Sequence, residues 1–391
     1  MFEKMRSSAA PLPILMAAAL AGALLAGTAA DACTTLTITD TNGGVYLGRT
    51  MEFALDLPWQ VTYFPAGREY TSKLADGTPG LAYRTKYRMM AVTMPLASPT
   101  DLKVVDGLNA EGLTFSALAF PAVGPEGDPE GLRKALAAVD LGSWALGQFA
   151  TVAEVKTALE AQPVILTPLS TLGNARTPLH YVLHDRTGAG IVIEYADAKQ
   201  TVYDNPVNVM TNGPRFPWHL TNLGNYSFLT NVDNSQGTFG HFKAVPADSG
   251  IATAGLPAAN TSVARFVRAA YYSQYAERVA DPDAAVRTLA HVMNNFDRPV
   301  AITIDASTSP LANEGVAGAM RTTGKDAPVF TSESTKWTSL SDLNRGRFSI
   351  RPQGAMNYTT FDLQRLARVK EVKSIPMHKL DGTAADGSGW F

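Results

Sequence analysis

The chain has 391 residues, with 33 Lys and Arg against 35 Asp and Glu and a formal charge of −2 at pH 7. That balance offers no basic surface to a nucleic-acid backbone, and 46% hydrophobic with 17% charged residues describes a chain that fills a core. A single cysteine, Cys33, excludes an intramolecular disulfide and any multi-cysteine zinc or iron–sulfur site.

Residues 1–32 read as an export signal. Lys4 and Arg6 give a positive start, Leu12 to Leu25 an apolar stretch interrupted by Pro13 and Gly22, and Ala30-Asp31-Ala32 a small-x-small cleavage pattern. The apolar stretch is shorter than the roughly 20 residues that span a bilayer, and no later segment approaches that length. The expectation is an exported protein, periplasmic or secreted, whose mature part is one domain over residues 33–391 with no transmembrane anchor.

Cleavage after Ala32 leaves Cys33 first in the chain, and two readings follow. Lipidation would make the protein a membrane-anchored binding protein, although such processing usually wants an aliphatic residue where Ala30 stands. Catalysis is the other reading. An N-terminal cysteine carries nucleophile and base on one residue, because its free α-amine titrates near about 7.7–8.0 and can take the thiol proton.

From Cys33 the sequence runs through β-branched residues at alternate places to Thr39, turns at Asp40-Thr41-Asn42-Gly43-Gly44, and resumes from Val45 to Phe53. This predicts a hairpin whose far end returns beside Cys33. Arg49 and Glu52 lie on that end, where Arg49 could lower the thiol pKa and Glu52 could hold the α-amine. Further strands are expected at 88–94, 103–108, 113–119, 179–184, 190–195, 200–203 and 207–211. Helices are expected at 128–147, 152–162, 262–279 and 282–296, the third capped by Thr261 or Ser262. Late strands are expected near 299–304, 336–342, 346–351 and 357–362. Segment 244–261, rich in Ala, Pro, Gly, Ser and Asn, reads as a surface loop, and 381–389 as a disordered tail. Strands grouped before and after helices argue an α+β architecture with mostly antiparallel sheets.

Six segments stand out in order: Cys33-Thr34 with Gly48-Arg49-Thr50-Met51-Glu52; Asp106-Gly107-Leu108-Asn109-Ala110-Glu111-Gly112-Leu113; Asn205 to Pro214; Asn222-Leu223-Gly224-Asn225-Tyr226; Ser262 to Arg268; and Trp337-Thr338 to Asp342-Leu343. Together they resemble the choloylglycine hydrolase and penicillin V acylase family of N-terminal nucleophile hydrolases. The resemblance implies a four-layer αββα fold and hydrolysis of a linear amide C–N bond in a small-molecule acyl amide, without a cofactor. Penicillin V, conjugated bile salts and N-acyl homoserine lactones are the candidate substrates, with N-acyl amino-acid or peptidoglycan-derived amides as a second possibility. It makes Cys33 the nucleophile, Arg49 the partner of its sulfur, Asn212 an oxyanion donor through its side-chain amide, and Arg265 part of the charged network beneath. Glu52 stands where the family commonly has Asp. Ala119 stands where many members have Asn or Tyr, and its backbone N–H can still serve as the second oxyanion donor. The family often assembles as a homotetramer through a protruding loop.

Phe120, Phe216 and Trp218 are the aromatic candidates for substrate-binding walls. His180 and His184 have the spacing of a helical metal pair but fall in a strand-like run, which argues against a metal site. His219 and His291 suggest a Cys–His dyad that an N-terminal amine makes unnecessary.

Overall fold

The computed structural model describes residues 32–54, 56–74, 77–124, 134–169, 175–306 and 330–382. The expected export signal, apart from Ala32, and residues 383–389 of the expected tail lie outside the described residues.

The chain opens as the turn chemistry requires. Strand β1, Cys33–Thr39, pairs antiparallel with β2, Val45–Phe53, placing Cys33 opposite Met51 and Thr35 opposite Arg49. Asp40 closes the turn: its Oδ1 accepts the N–H groups of Asn42 and Gly44 at 2.8 and 2.7 Å, and its Oδ2 accepts the Tyr46 hydroxyl at 2.7 Å. Gly43 has φ +83°, a conformation that side chains resist.

In chain order the sheet strands continue with β3 Gln60–Phe64, β4 Met89–Pro95, β5 Leu102–Asn109, β6 Thr114–Ala119, β7 Leu179–His184, β8 Gly190–Ala196, β9 Lys199–Asp204, β10 Val209–Met210, β11 Ser334–Asp342, β12 Arg347–Pro352, β13 Thr359–Asp362 and β14 Lys373–Pro376. One sheet has the order β10-β1-β2-β11-β12-β13 and the other β9-β8-β7-β6-β5-β4-β3-β14. Every pairing in both is antiparallel. Helices α1, Leu141–Gln148, and α2, Val152–Ala161, cover the larger sheet. After the short α3, Phe216–Leu223, helices α4, Ser262–Tyr275, and α5, Pro282–Met293, cover the smaller.

Burial follows these layers. One core runs from Phe266, Leu289 and Met293 of the helices through Leu36, Trp337 and Leu340 to Met90, Leu108, Val182 and Val192 of the facing sheet. A second joins Phe115, Tyr181 and Ile193 to Leu141, Leu146 and Val155. The fold is α+β with four layers, αββα. Strands β1 and β2 are its interior, which is why they are buried on both faces. Helix α5 approaches so closely at Gly48 that a Cβ there would lie 2.5 Å from Met293 Sδ.

Several expected boundaries are corrected. Of the helix expected over 128–147, residues 128–133 lie outside the described residues. Leu136–Ala137 is extended and pairs parallel with Val164–Ile165, and the helix begins only at Leu141. Ala135, Leu136 and Ala137 are fully buried, so no polar face existed there to support an amphipathic helix. Residues 299–304 form a turn with Ala301 at φ +64° and expose Val300, Ile302 and Ile304, so β-branched composition misled the reading. Thr261 caps α4, accepting the Ala264 N–H at 3.3 Å. Among the described residues no helix is long and apolar enough to cross a membrane.

Candidate active site

The Cys33 thiol projects from the first residue of β1 between the two sheets and is almost wholly buried. Arg49, two residues before its cross-strand partner, reaches the same space. Its Nη2 lies 3.9 Å from the sulfur and bonds the Ala117 carbonyl, while Nη1 bonds the Val105 carbonyl at 3.1 Å and lies 3.7 Å from Asp106. The guanidinium also sits 4.7 Å over the Trp337 ring. Burial pushes the thiol up, whereas the Arg49 charge pulls it down, Glu52 pushes it up, and Arg265 and the Ala119 N–H pull it down. The net direction is upward. Arg49 thus lowers the thiol as its charge predicts, but desolvation outweighs the cation.

Asn212 follows the two-residue strand β10 and ties the site together. Its Oδ1 accepts the backbone N–H of Cys33 at 2.8 Å and Nη2 of Arg265 at 2.8 Å, and its Nδ2 donates to the Ala119 carbonyl at 3.0 Å. Arg265 comes from α4. It also bonds the Cys33 carbonyl, the Thr34 hydroxyl at 2.7 Å and the Asn260 carbonyl at 3.0 Å. Glu52 is buried close by. Its Oε1 accepts the Thr335 hydroxyl at 3.0 Å, and its Oε2 has no hydrogen-bond partner among the described residues. Burial pushes the Glu52 carboxyl up to about 7 against the pull of Arg265. The nitrogen of Cys33 is thus held by Asn212, whereas Glu52 bonds the Ala32 carbonyl through its backbone N–H at 2.8 Å.

A sequence model of the linear amide C–N hydrolases, choloylglycine hydrolase family, matches residues 33–309 and so starts on Cys33 itself. The chain belongs to this family. It is 33% identical over 239 residues to the conjugated bile acid hydrolase of Lactobacillus acidophilus, covering 61% of this chain and 73% of that protein. To the penicillin V acylase of Pectobacterium atrosepticum it is 28% identical over 256 residues, 64% of this chain and 62% of that one. Its fold is shared with a variant of the conjugated bile acid hydrolase from Clostridium perfringens, TM-score 0.74 at 23% identity over 90% of this chain and 99% of that one. The penicillin V acylase from Agrobacterium tumefaciens superposes with TM-score 0.66 at 22% identity over 88% and 91%. The protein is accordingly a hydrolase of linear amide C–N bonds.

In this choloylglycine hydrolase family member an apolar cleft of about 90 Å³ opens on Cys33, walled by Met51, Phe53, Trp59, Met94, Val105 and Leu179 with Ala117 and Ala119. The structure brings Cys33, Arg49, Glu52, Ala119, Asn212 and Arg265 together. The aromatic candidates separate. Phe120 lines a second cavity, of about 490 Å³, with Pro121, Gly213, Pro214 and Arg215. Phe216 is buried in the core against Tyr203 and Phe266, so it walls neither cavity. Trp218 is 45% exposed on α3 and is likewise outside both. Proximity in sequence to Asn212 misled here, because α3 turns its apolar face inward. His291 is exposed on the last turn of α5. Among the described residues no group of three His, Cys, Asp or Glu is placed to hold a metal ion.

Sequence reasoning missed Met51 as a neighbour of the sulfur, and Asp106 and Trp337 as neighbours of Arg49. The hairpin register implied Met51, which stands directly across from Cys33 with its Sδ at 3.7 Å from Sγ. Asp106 was visible only as part of a motif. It is buried beside Arg49 and accepts the Ser116 and Ser339 hydroxyls at 2.6 Å each. Burial pushes its carboxyl up while Arg49 opposes that rise.

Proposed function

We propose that the protein is an exported cysteine acylase that works from an N-terminal Cys33, freed by removal of residues 1–32, through a thioester. The observation that carries this reading is the joint placement of the Cys33 sulfur on an apolar cleft and of its nitrogen 2.8 Å from Asn212 Oδ1. Cleavage would turn that nitrogen into an amine without moving it from its acceptor. A raised thiol next to such an amine fits an internal base.

The α-amine would take the thiol proton and the thiolate would add to the amide carbonyl. Negative charge then develops on the carbonyl oxygen. The Ala119 N–H and the second N–H of Asn212 Nδ2, the first being held by the Ala119 carbonyl, would stabilise it. Collapse breaks the C–N bond as the ammonium returns a proton to the leaving amine. Water then attacks the thioester, releasing the acid and restoring the thiol. The apolar cleft suits an acyl group, and the cavity reached past Phe120 and Gly213 suits the polar amine half. The names of the relatives support conjugated bile salts and penicillin V as substrates; N-acyl homoserine lactones share the same acyl-amide chemistry.

Hydrolysis of penicillin V, glycocholate and a long-chain acyl homoserine lactone, compared between the mature protein and Cys33→Ala, tests the reading. Turnover of one of them that disappears in Cys33→Ala is expected. Unchanged turnover in the variant defeats it, and a diacylglyceryl group on Cys33 by mass measurement would instead favour an anchored binding protein. We extend the proposal to assembly as a homotetramer. The hairpin of Gly237–Phe239 and Phe242–Ala244 leaves Phe239 and Phe242 74% and 69% exposed, and light scattering of Phe239→Asp should show smaller particles than the unsubstituted protein.

A further inference from the structure

Thr211 and Asn212 follow a strand that is only two residues long, so their carbonyls leave the sheet while still buried. A buried carbonyl needs a donor. Two imidazoles supply one each. His180 Nε2 lies 2.9 Å from the Thr211 oxygen and His219 Nε2 lies 3.0 Å from the Asn212 oxygen. Because a carbonyl only accepts, both rings carry their proton on Nε2.

Each ring is fixed on its other side. His180 lies flat on Phe120 with centroids 4.8 Å apart and planes 9° apart, and its Nδ1 is 3.5 Å from Glu194 Oε1, which itself accepts the Phe216 N–H at 2.8 Å. His219 lies flat on Phe266 at 4.4 Å and 12°. Phe120 is the residue after Ala119, and Phe266 the residue after Arg265. The two rings therefore touch the chain on both sides of the space where the oxyanion would form. Ser262 completes the hold, its hydroxyl accepting the Asn212 N–H at 3.0 Å.

We propose that His180 and His219 are positioning residues that fix the oxyanion pair, the Ala119 N–H and the Asn212 carboxamide, relative to the Cys33 sulfur. This rests on the thiol mechanism proposed above. Neither ring hydrogen-bonds the sulfur, and each is tied through Nε2 to a backbone carbonyl, so both are placed to orient the chain around Asn212. Burial pushes His219 down to about 4, which keeps it a neutral donor beside Glu194 and Arg265. The Asn212 amide acts only from the angle its own backbone allows. A displacement of about 1 Å at such a donor can slow a reaction on the order of 100-fold.

The test compares two reactions of the same sulfur in the mature protein. Amide hydrolysis builds an oxyanion; alkylation of Cys33 by iodoacetamide does not. His219→Leu and His180→Leu should lower kcat by on the order of 10- to 100-fold with KM and the alkylation rate within about twofold of the unsubstituted enzyme. His219→Gln, which keeps an N–H at similar reach, should recover most of kcat, and His219→Asn, which falls short of the Asn212 carbonyl, should not. If the leucine variants do not fold, the glutamine and asparagine pair decides. Equal loss of hydrolysis and alkylation, a rise in KM at constant kcat, or no difference between His219→Gln and His219→Asn overturns the inference. Hydrolysis by the unsubstituted enzyme that survives complete alkylation of Cys33 would instead remove the thiol mechanism on which it rests.

Discussion

Asn212 Oδ1 accepts the backbone N–H of Cys33 at 2.8 Å across 179 residues of sequence, while Nδ2 of the same carboxamide donates to the Ala119 carbonyl at 3.0 Å. One side chain thus holds the nitrogen of the candidate nucleophile with its oxygen and faces the candidate oxyanion strand with its nitrogen. The two duties are separable by chemistry.

Asn212→Asp keeps an acceptor for Cys33 N and for Arg265 but removes both N–H groups. Removing one oxyanion donor costs about 2.7–4 kcal/mol of barrier, so kcat should fall by on the order of 100- to 1,000-fold with little change in KM. Asn212→Ala should do the same and also lower thermal stability, because Arg265 loses a buried acceptor. Steady-state kinetics and thermal unfolding on the same preparations check both. An Asn212→Asp enzyme with native kcat would show that the carboxamide only orients the nitrogen.

Glu52 offers a stability readout for the proposed trimming at Cys33. Its buried carboxyl stands at about 7 against an ordinary 4.5. Between those values the folded chain binds more protons than the unfolded one, so this group's contribution is fully present below about pH 4.5 and is lost as pH rises through about 7. A free ammonium on Cys33 beside it would pull the carboxyl back down and shrink that loss. Unfolding free energies from urea titrations between about pH 5 and pH 8 should therefore fall more steeply, by up to about 1.4 kcal/mol per pH unit, in a chain that keeps Ala32 than in one beginning at Cys33. Asp106, also raised by burial, adds the same slope to both, so the difference between chains is the readout. Glu52→Gln should flatten that difference. Equal slopes before and after trimming would mean that Glu52 does not sense the amine. The chain that keeps Ala32 should also be inactive, since its nitrogen is an amide and cannot act as a base.

Gly107 tests how tightly the larger sheet carries Asp106. A Cβ there would lie 2.8 Å from the Met90 carbonyl and 3.0 Å from Leu146 Cδ1. A carbonyl fixed in a strand pair cannot yield, so Gly107→Ala should cost about 1–3 kcal/mol. Gly48→Ala meets the flexible thioether of Met293 instead and should cost less. Denaturant unfolding of the two variants gives the order, and the reverse order would contradict the packing described here.

How much of this was legible in sequence depended on whether the signal was local. The β1–β2 hairpin was, because alternating β-branched residues flank a turn that Asp40 and Gly43 specify by themselves. Cys33, Arg49, Asn212 and Arg265 were legible through short motifs in order, although no local pattern says that Asn212 bonds Cys33 N. Strand β3 was missed since Gln60–Phe64 is too short to show a period. Helix α3 was missed because Phe216–Leu223 is only eight residues long, too short for a helical period to stand out, and with it went the inward turn that buries Phe216. His180 and His184 have helical metal spacing, yet the strand gives them separate surroundings: His180 meets Thr211 and Phe120, while His184 is buried and pushed down to about 4 by desolvation. The partners that hold His180 lie just after β6 and just after β10, beyond any window of sequence.

Arg49 gives the last prediction. Its Nη2 lies 3.9 Å from the sulfur, and its charge opposes the rise that burial imposes on the thiol. Arg49→Met removes that charge, so the midpoint of iodoacetamide alkylation of Cys33 against pH should move upward by about 1 to 3 pH units. The same change strips Asp106 of its neighbouring cation, and a broken buried pair costs about 3–5 kcal/mol, so the variant should also be markedly less stable. Asp106→Asn placed on top of Arg49→Met should restore part of that stability without returning the alkylation profile, because it removes the stranded carboxylate and leaves the sulfur without its cation. Arg49→Lys keeps the charge but cannot bond the Val105 and Ala117 carbonyls in the same forked geometry. It should hold the alkylation midpoint near that of the unsubstituted enzyme while losing stability. An unmoved midpoint in Arg49→Met would show that Arg49 is a structural strut between the two sheets and not the electrostatic partner of the thiol.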